Sequence, residues 1–196
     1  GTFEGNHAMG VWAHGEGVSL TLESTTIENT YAQPADGVGG RGLEIATGAH
    51  VTLKGVVLSS NREIGMGVFG EATRVDAEEL VVLSTKHSEK LESDGSAKFG
   101  YGVVVAGATV NLLDFQLSEN ASVGLQLLDS SPCVEQFGGL PIVQCADGLI
   151  SANDIGVNNQ LEELPIEEIF SNVIMQDNIT EDLSSANLPT GCQSEN

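Results

Sequence analysis

No stretch of this 196-residue chain holds eighteen consecutive apolar residues, so nothing in it reads as a membrane-spanning helix. Its start lacks the charged-then-apolar order of a secretory leader. Cysteine occurs three times, at Cys133, Cys145 and Cys192, without the CxxC or HxxxH spacing that gathers zinc ligands. There is one tryptophan, Trp12. Positive charge is the most telling shortage. The seven cations are Arg41, Lys54, Arg62, Arg74, Lys86, Lys90 and Lys98, so the acids beyond residue 98 face no opposite charge, and the formal total is −21. Such a surface repels nucleic acid, anionic lipid and uronate polymers, and attracts cations or basic partners. It also keeps a repetitive β-protein soluble.

Against these absences stands a repeat. Counting from Val51, apolar side chains fall at offsets 0, +2, +5 and +7 (Val51, Leu53, Val56, Leu58), with Asn61 at +10. The spacing also fits Leu20/Leu22/Thr25/Ile27/Thr30, Val75/Ala77/Leu80/Val82/Thr85, Val110/Leu112/Phe115/Leu117/Asn120 and Ile150/Ala152/Ile155/Val157/Gln160. Residues two apart point the same way along a strand, and the step of three calls for a turn between two short strands. Upstream of each copy lies a glycine-led third strand: Gly10–Ala13, Gly42–Ile45, Gly67–Gly70, Gly102–Val105 and Gly124–Leu127. Glycine is expected to supply positive φ there, with the first and third residues after it pointing inward. The +10 residues, from Thr30 to Asn178, are expected to hydrogen-bond from coil to coil. Asn120-Ala-Ser and Asn178-Ile-Thr also match the glycosylation acceptor pattern, but they share this column.

The pattern predicts an all-β fold, a right-handed parallel β-helix of about five to six three-stranded coils over residues 1–180, with a polar tail at 181–196. Template starts are 31, 24, 35 and 40 residues apart, so 24 is the plain coil and the others carry loops. Left-handed β-helices use shorter hexapeptide coils, and parallel crossovers favour the right hand. Phe3 and Asn6 occupy late positions of a coil, the mark of a piece of a longer chain. An upstream segment or a dimer contact is then expected to cover the N-terminal edge. The loops, by subtraction, are 31–41, 86–101 and 129–147. Leu161–Phe170 reads as a helical turn or an extended cap. Cys133 and Cys145 share the last loop, either as a disulfide closing it or as two reduced, buried thiols. The disulfide would fit an oxidising, extracellular or cell-surface setting.

The inward pattern GVxV…VxLxxVxLxxN resembles the right-handed parallel β-helix repeats of the pectin-lyase-like superfamily, especially modules of secreted bacterial proteins. It covers nearly the whole chain and speaks for fold far more than for activity, since the superfamily includes lyases, hydrolases, adhesins and silent scaffolds. The NTD, DD, GHG and RIK motifs of polygalacturonases are absent, and the nearest string is Ala13-His14-Gly15. The arginine base that pectate lyases pair with a calcium-binding aspartate cluster has no counterpart after residue 98. The resemblance therefore implies a non-catalytic scaffold or adhesion module, with a polysaccharide hydrolase or lyase of divergent site residues as the alternative.

Substrates of such folds lie on the outside of a sheet. The outward residues of the glycine-led strands are expected to be Trp12, Glu44, Phe69, Val104 and Gln126, then His14, Ala46, Glu71, Ala106 and Leu128. Trp12, Glu44, Phe69 and Val104 thus form either a binding face for a protein or a neutral glycan, or a floor beneath the loops. Glu44 and Glu71 are candidate catalytic carboxylates, about 8 Å apart by strand spacing, within the range inverting glycosidases use. No GxGxxG, P-loop or GxSxG motif calls for a cofactor or a serine nucleophile. Calcium is the one ion considered. Asp129, Glu135 and Asp147 share the third loop, and His87, Glu89, Glu92 and Asp94 the second, without EF-hand or nonapeptide spacing. Solvated acidic loops account for both groups as well.

Overall fold

The computed structural model describes residues 1–91, 95, 97–128, 140–161, 165–186 and 188. In chain order the elements are β1 (Thr2–Glu4), β2 (Met9–His14), β3 (Ser19–Glu28), β4 (Arg41–Ala46), β5 (His50–Ser59), β6 (Ile64–Phe69), β7 (Arg74–Glu78) and β8 (Val81–Leu83). Then come β9 (Tyr101–Ala106), β10 (Thr109–Ser118), β11 (Val123–Leu128), β12 (Ile142–Ser151), β13 (Ile155–Asn159), α1 (Ile166–Ile169), β14 (Phe170–Gln176) and β15 (Glu181–Ser184). All pairings between these strands are parallel. One eight-stranded sheet runs β1-β3-β5-β7-β10-β12-β14 with β8 beside β5 and β10, and a seven-stranded sheet runs β2-β4-β6-β9-β11-β13-β15. The chain alternates between the two sheets and adds to both on each circuit, which makes an open parallel β-solenoid.

The turn expected between +2 and +5 is a single left-handed residue. Ser24, Gly55, Glu79, Asp114, Asp147 and Asn172 have φ between 44° and 59°. The ladder continues on both sides of this bend, so the two expected short strands form one bent ten-residue strand in β3, β5, β10 and β12. They separate only at β7 and β8. A second left-handed column, Asn29, Ser60, Ser84, Glu119, Ala152 and Asp177, ends each long strand with φ of 51° to 56°. A residue with a side chain costs about 1–2 kcal/mol in this conformation. The residue that follows offsets it.

That residue belongs to the expected polar column, in which the asparagine amides form a ladder while, among the described residues, the buried Thr30 and Thr85 hydroxyls find no partner. Asn61 Oδ1 accepts the Thr30 N–H at 3.1 Å, and Asn61 Nδ2 donates to the Ile27 carbonyl at 2.9 Å. Asn153 Oδ1 accepts the Asn120 backbone and side-chain N–H groups at 3.0 and 2.9 Å, and Asn178 Oδ1 accepts the Asn153 N–H at 3.1 Å. The ladder also explains the glycines that open the short strands. A Cβ on Gly42 would lie 2.6 Å from Asn61 Nδ2, and one on Gly102 2.7 Å from Asn120 Nδ2. The expected positive φ falls instead two residues earlier, at Gly40 and Gly100, with 97° and 92°.

Two registers differ from the expected ones. Val110 pairs with Val143, Phe115 with Gly148 and Leu117 with Ile150. The fifth copy is therefore Val143/Cys145/Gly148/Ile150/Asn153, which starts 33 residues after the fourth. Ile155 and Val157 lie in β13 of the other sheet, and Asn153 rather than Gln160 fills the ladder. Gly148 leaves the +5 slot empty, and the Phe115 ring fills it, 2.2 Å from where a Cβ would stand. In β6, Met66 pairs with Leu43 and Phe69 with Ala46, so Gly65 leads this strand, not Gly67. A slip of two residues keeps every side chain on its own face and leaves no trace in the alternation.

The main core lies between the sheets, with Leu43, Ile45, Leu58, Val68, Val105, Leu117 and Leu127 all fully buried. Cys145 joins it from β12 as a free thiol, 1% exposed, and burial pushes its pKa up to about 12. The expected loop 129–147 thus gives up its last residues to a strand, and the Cys133–Cys145 bridge is not present. Cys133 and Cys192 lie outside the described residues. Val173 and Met175 continue the +5 and +7 columns as expected. β15, within the stretch read as a tail, pairs with β13. Among the described residues no helix is long and apolar enough to cross a membrane.

Candidate functional site

The outer face of the seven-stranded sheet carries most of the residues singled out by the sequence. Successive strands set Trp12, Glu44, Gly67, Val104, Gln126 and Asn158 side by side, followed by His14, Ala46, Phe69, Ala106 and Leu128. Phe69 falls one step further along than expected. Its ring folds back over Gly67, 2.5 Å from where a Cβ would be.

At the first strand this face is open. Trp12 is 58% exposed, and its ring leans on His14 with centroids 4.9 Å apart at 52°. His14 Nε2 and Thr47 Oγ1 hydrogen-bond at 3.1 Å, which fixes the imidazole beneath the indole. On the next strand Arg41 bonds to the Glu44 carboxylate and lies 3.6 Å from that of Glu63. Glu63 is 1% exposed and joins two loops to the sheet. Its Oε1 accepts from Gly39 N–H at 2.9 Å and from the Ser88 hydroxyl at 3.0 Å, and its carbonyl accepts from the Gly100 and Tyr101 N–H groups. Lys90 N–H donates to the Gly37 carbonyl at 3.2 Å, so residues 37–39 and 88–90 of the two loops lie side by side at the edge where these strands begin.

Beyond this ion cluster the face is sealed. Val104, Gln126 and Asn158 are all 0% exposed. Ile64, Phe99, Tyr101, Val104, Ala106, Val123, Leu128 and Ile155 form a second core outside the sheet, with Phe69 and Leu188 packed against it. Phe99 meets Tyr101 edge-on at 5.9 Å, and burial raises the Tyr101 pKa. The expected face is thus an open surface at Trp12 and a covered floor at Val104.

The carboxylates do not converge on that face. Glu44 is 9% exposed and engaged by Arg41, whereas Glu71 is exposed, two residues past the end of β6 and four further along than Glu44. Asp147 lies at the bend of β12, on the other sheet, and takes a hydrogen bond from Asn172 Nδ2 at 2.7 Å. With Glu79 and Asp114 it lines an open groove of ≈330 Å³. Asp129 and Glu135 lie outside the described residues, as do Glu92 and Asp94. His87 Nδ1 bonds to the Phe99 carbonyl of its own loop at 2.9 Å, and Glu89 pairs with Arg62, between β5 and β6, so both are engaged within the protein. Among the described residues no three His, Cys, Asp or Glu side chains gather to hold a metal ion. Sequence reading missed Arg41 and Glu63. Arg41 precedes a strand-opening glycine by one residue, but Glu63 carries no local signal at all. Set against known proteins, the chain matches no family model, no curated protein and no solved structure.

Proposed function

We propose that this chain is a right-handed parallel β-helix of the pectin-lyase-like kind that acts as a non-catalytic binding or adhesion module, taking a neutral glycan at its open outer face. The observation that carries the reading is Trp12. A 58% exposed indole, tilted against His14 on a parallel sheet, offers the apolar platform on which the C–H face of a sugar ring stacks. Thr47 and His14 supply polar groups at its rim. A charge of −21 selects against anionic polysaccharide. The pairing of Glu44 with Arg41, and the displacement of Glu71, favour binding over hydrolysis. The extracellular or cell-surface setting rests on the sequence resemblance alone, since the buried thiol of Cys145 withdraws the disulfide from the argument.

The test is a titration of neutral oligosaccharides by calorimetry, with product analysis in parallel. Saturable binding that Trp12→Ala reduces at least tenfold, without cleavage, is the expected result. Cleavage of any glycan lost in Glu44→Gln would return the chain to the enzymes. If no neutral glycan binds, a protein ligand at the same face becomes the reading to pursue.

A further inference from the structure

The sealed end of the outer face contains polar groups that its cover does not satisfy. Gln126 and Asn158 are neighbours across β11 and β13, and both are 0% exposed. Asn158 Nδ2 donates to Gln126 Oε1 and to the Ala186 carbonyl, each at 3.0 Å. Among the described residues, Gln126 Nε2 and Asn158 Oδ1 have no hydrogen-bond partner. Buried amides in native proteins are nearly always paired, so a fully enclosed free donor and free acceptor side by side mark a place built for something more.

What lies over them is the segment after β15, through Ala186 and Leu188. Gln160 Nε2 donates to the Ala186 and Leu188 carbonyls at 3.0 and 3.1 Å, and the Leu188 side chain packs on the second core. Two of the segment's N–H groups turn back into it. Ala186 N–H donates to Ser184 Oγ at 3.1 Å, and Leu188 N–H to the Ala186 carbonyl at 3.0 Å. The sheet's amides thus give hydrogen bonds to this segment through Asn158 and Gln160, and neither Ala186 nor Leu188 returns one to Asn158 Oδ1.

We propose that the face around Gln126, Asn158 and Gln160 is a peptide-binding site, occupied in this chain by its own segment after β15, through Ala186 and Leu188, and open to an extended peptide in trans when that segment lifts. An extended backbone presents a carbonyl and an N–H at every residue. It can give carbonyls to Asn158 Nδ2 and Gln160 Nε2, as the resident segment does, and add an N–H for Asn158 Oδ1 and a carbonyl for Gln126 Nε2. An apolar side chain replaces Leu188 on the second core. Against a chain of charge −21 the peptide is neutral or basic. This site is separate from the Trp12 platform and does not depend on it.

The experiment is fluorescence anisotropy with a labelled, end-blocked Ser-Ser-Ala-Asn-Leu-Pro-Thr peptide, the chain's own 184–190, and the full-length protein. Leu188→Asp loosens the resident segment without touching the site, and it should bind the peptide at least tenfold tighter than wild type. Adding Gln126→Leu should abolish that gain while leaving the melting temperature unchanged or higher. Should Leu188→Asp fail to fold, hydrogen exchange on the wild type replaces it, and saturating peptide should speed exchange across 185–188. A folded Leu188→Asp chain that binds no better than wild type overturns the proposal, as do binding that survives Gln126→Leu and exchange that ignores the peptide. Those results assign the two amides to a buried water.

Discussion

At its first strand the seven-stranded sheet turns Trp12 and His14 to solvent, whereas further along the same column Val104, Gln126 and Asn158 are sealed, although the pairing beneath is parallel throughout. The strands differ in what they carry outward. β2 reads Met-Gly-Val-Trp-Ala-His, which alternates; β9 reads Tyr-Gly-Val-Val-Val-Ala and β11 Val-Gly-Leu-Gln-Leu-Leu, which are apolar or amide on both faces. A strand with water on one side alternates, and one enclosed on both sides does not. Between the two regimes stand Arg41, Glu44 and Glu63, a partly buried ion cluster that holds two loops down. The inner face makes the solenoid, and the outer columns decide where it needs a cover and where it can meet a ligand.

The sharpest way to break this comparison is to place the same charge at both ends. Val104→Asp buries an unpaired carboxylate and should cost about 4 kcal/mol in urea unfolding, while Trp12→Asp should stay within about 0.5 kcal/mol. Equal losses would erase the distinction. At the boundary, Glu63→Ala leaves the Gly39 N–H and the Ser88 O–H without their acceptor and should cost about 2 kcal/mol. Exchange of backbone amides in 31–40 and 86–100 should then rise together, and a rise in one loop alone would sever them.

Cys145, on β12, reports on the core at the sealed end. Its thiolate is the reactive form, and burial holds its pKa up at about 12, so the native thiol should resist iodoacetamide until the chain unfolds. Because the folded value is raised, this thiol's contribution to stability is complete below the unfolded pKa of about 8.5 and lost as pH rises toward 12. Labelling of Cys145, followed by mass spectrometry, should speed up in Val104→Asp and not in Trp12→Asp. The smallest effect belongs to the eight-stranded sheet, where the hydrogen bonds from Arg74 hold the exposed Asp76 carboxyl below its usual range. Its contribution is present above about pH 3.9 and lost as pH falls through the lower folded value. Asp76→Asn should cost under about 0.5 kcal/mol at pH 6, and that cost should shrink as the pH falls below about 3.9.

The sequence made the long strands legible because their inward residues are aliphatic and evenly spaced, and because Asn61 and Asn120 recur at one offset. It concealed the coil at Val143 for a steric reason. Gly148 contributes no side chain to the core, and the Phe115 ring supplies the missing volume from the neighbouring coil. Gly65 and Gly67 were interchangeable to any reading based on alternation. The outer face was harder. Trp12 and Val104 both lie on it, but their opposite exposure depends on Phe99, just before β9, and on Leu188, which approaches from a distant part of the chain. The bond from Asn158 to Ala186 spans 28 residues and has no periodic signature.

The bent strands and the asparagine ladder also set how the molecule answers force. All strand pairings join one circuit of the chain to the next, and the ladder at Asn120, Asn153 and Asn178 runs in that same direction. A pull between the two ends of the stack therefore loads the circuits in series, like links, and the weakest yields first. A push across the stack is shared by all of them in parallel. The protein is a rod that resists sideways load far better than it resists being peeled open from an end.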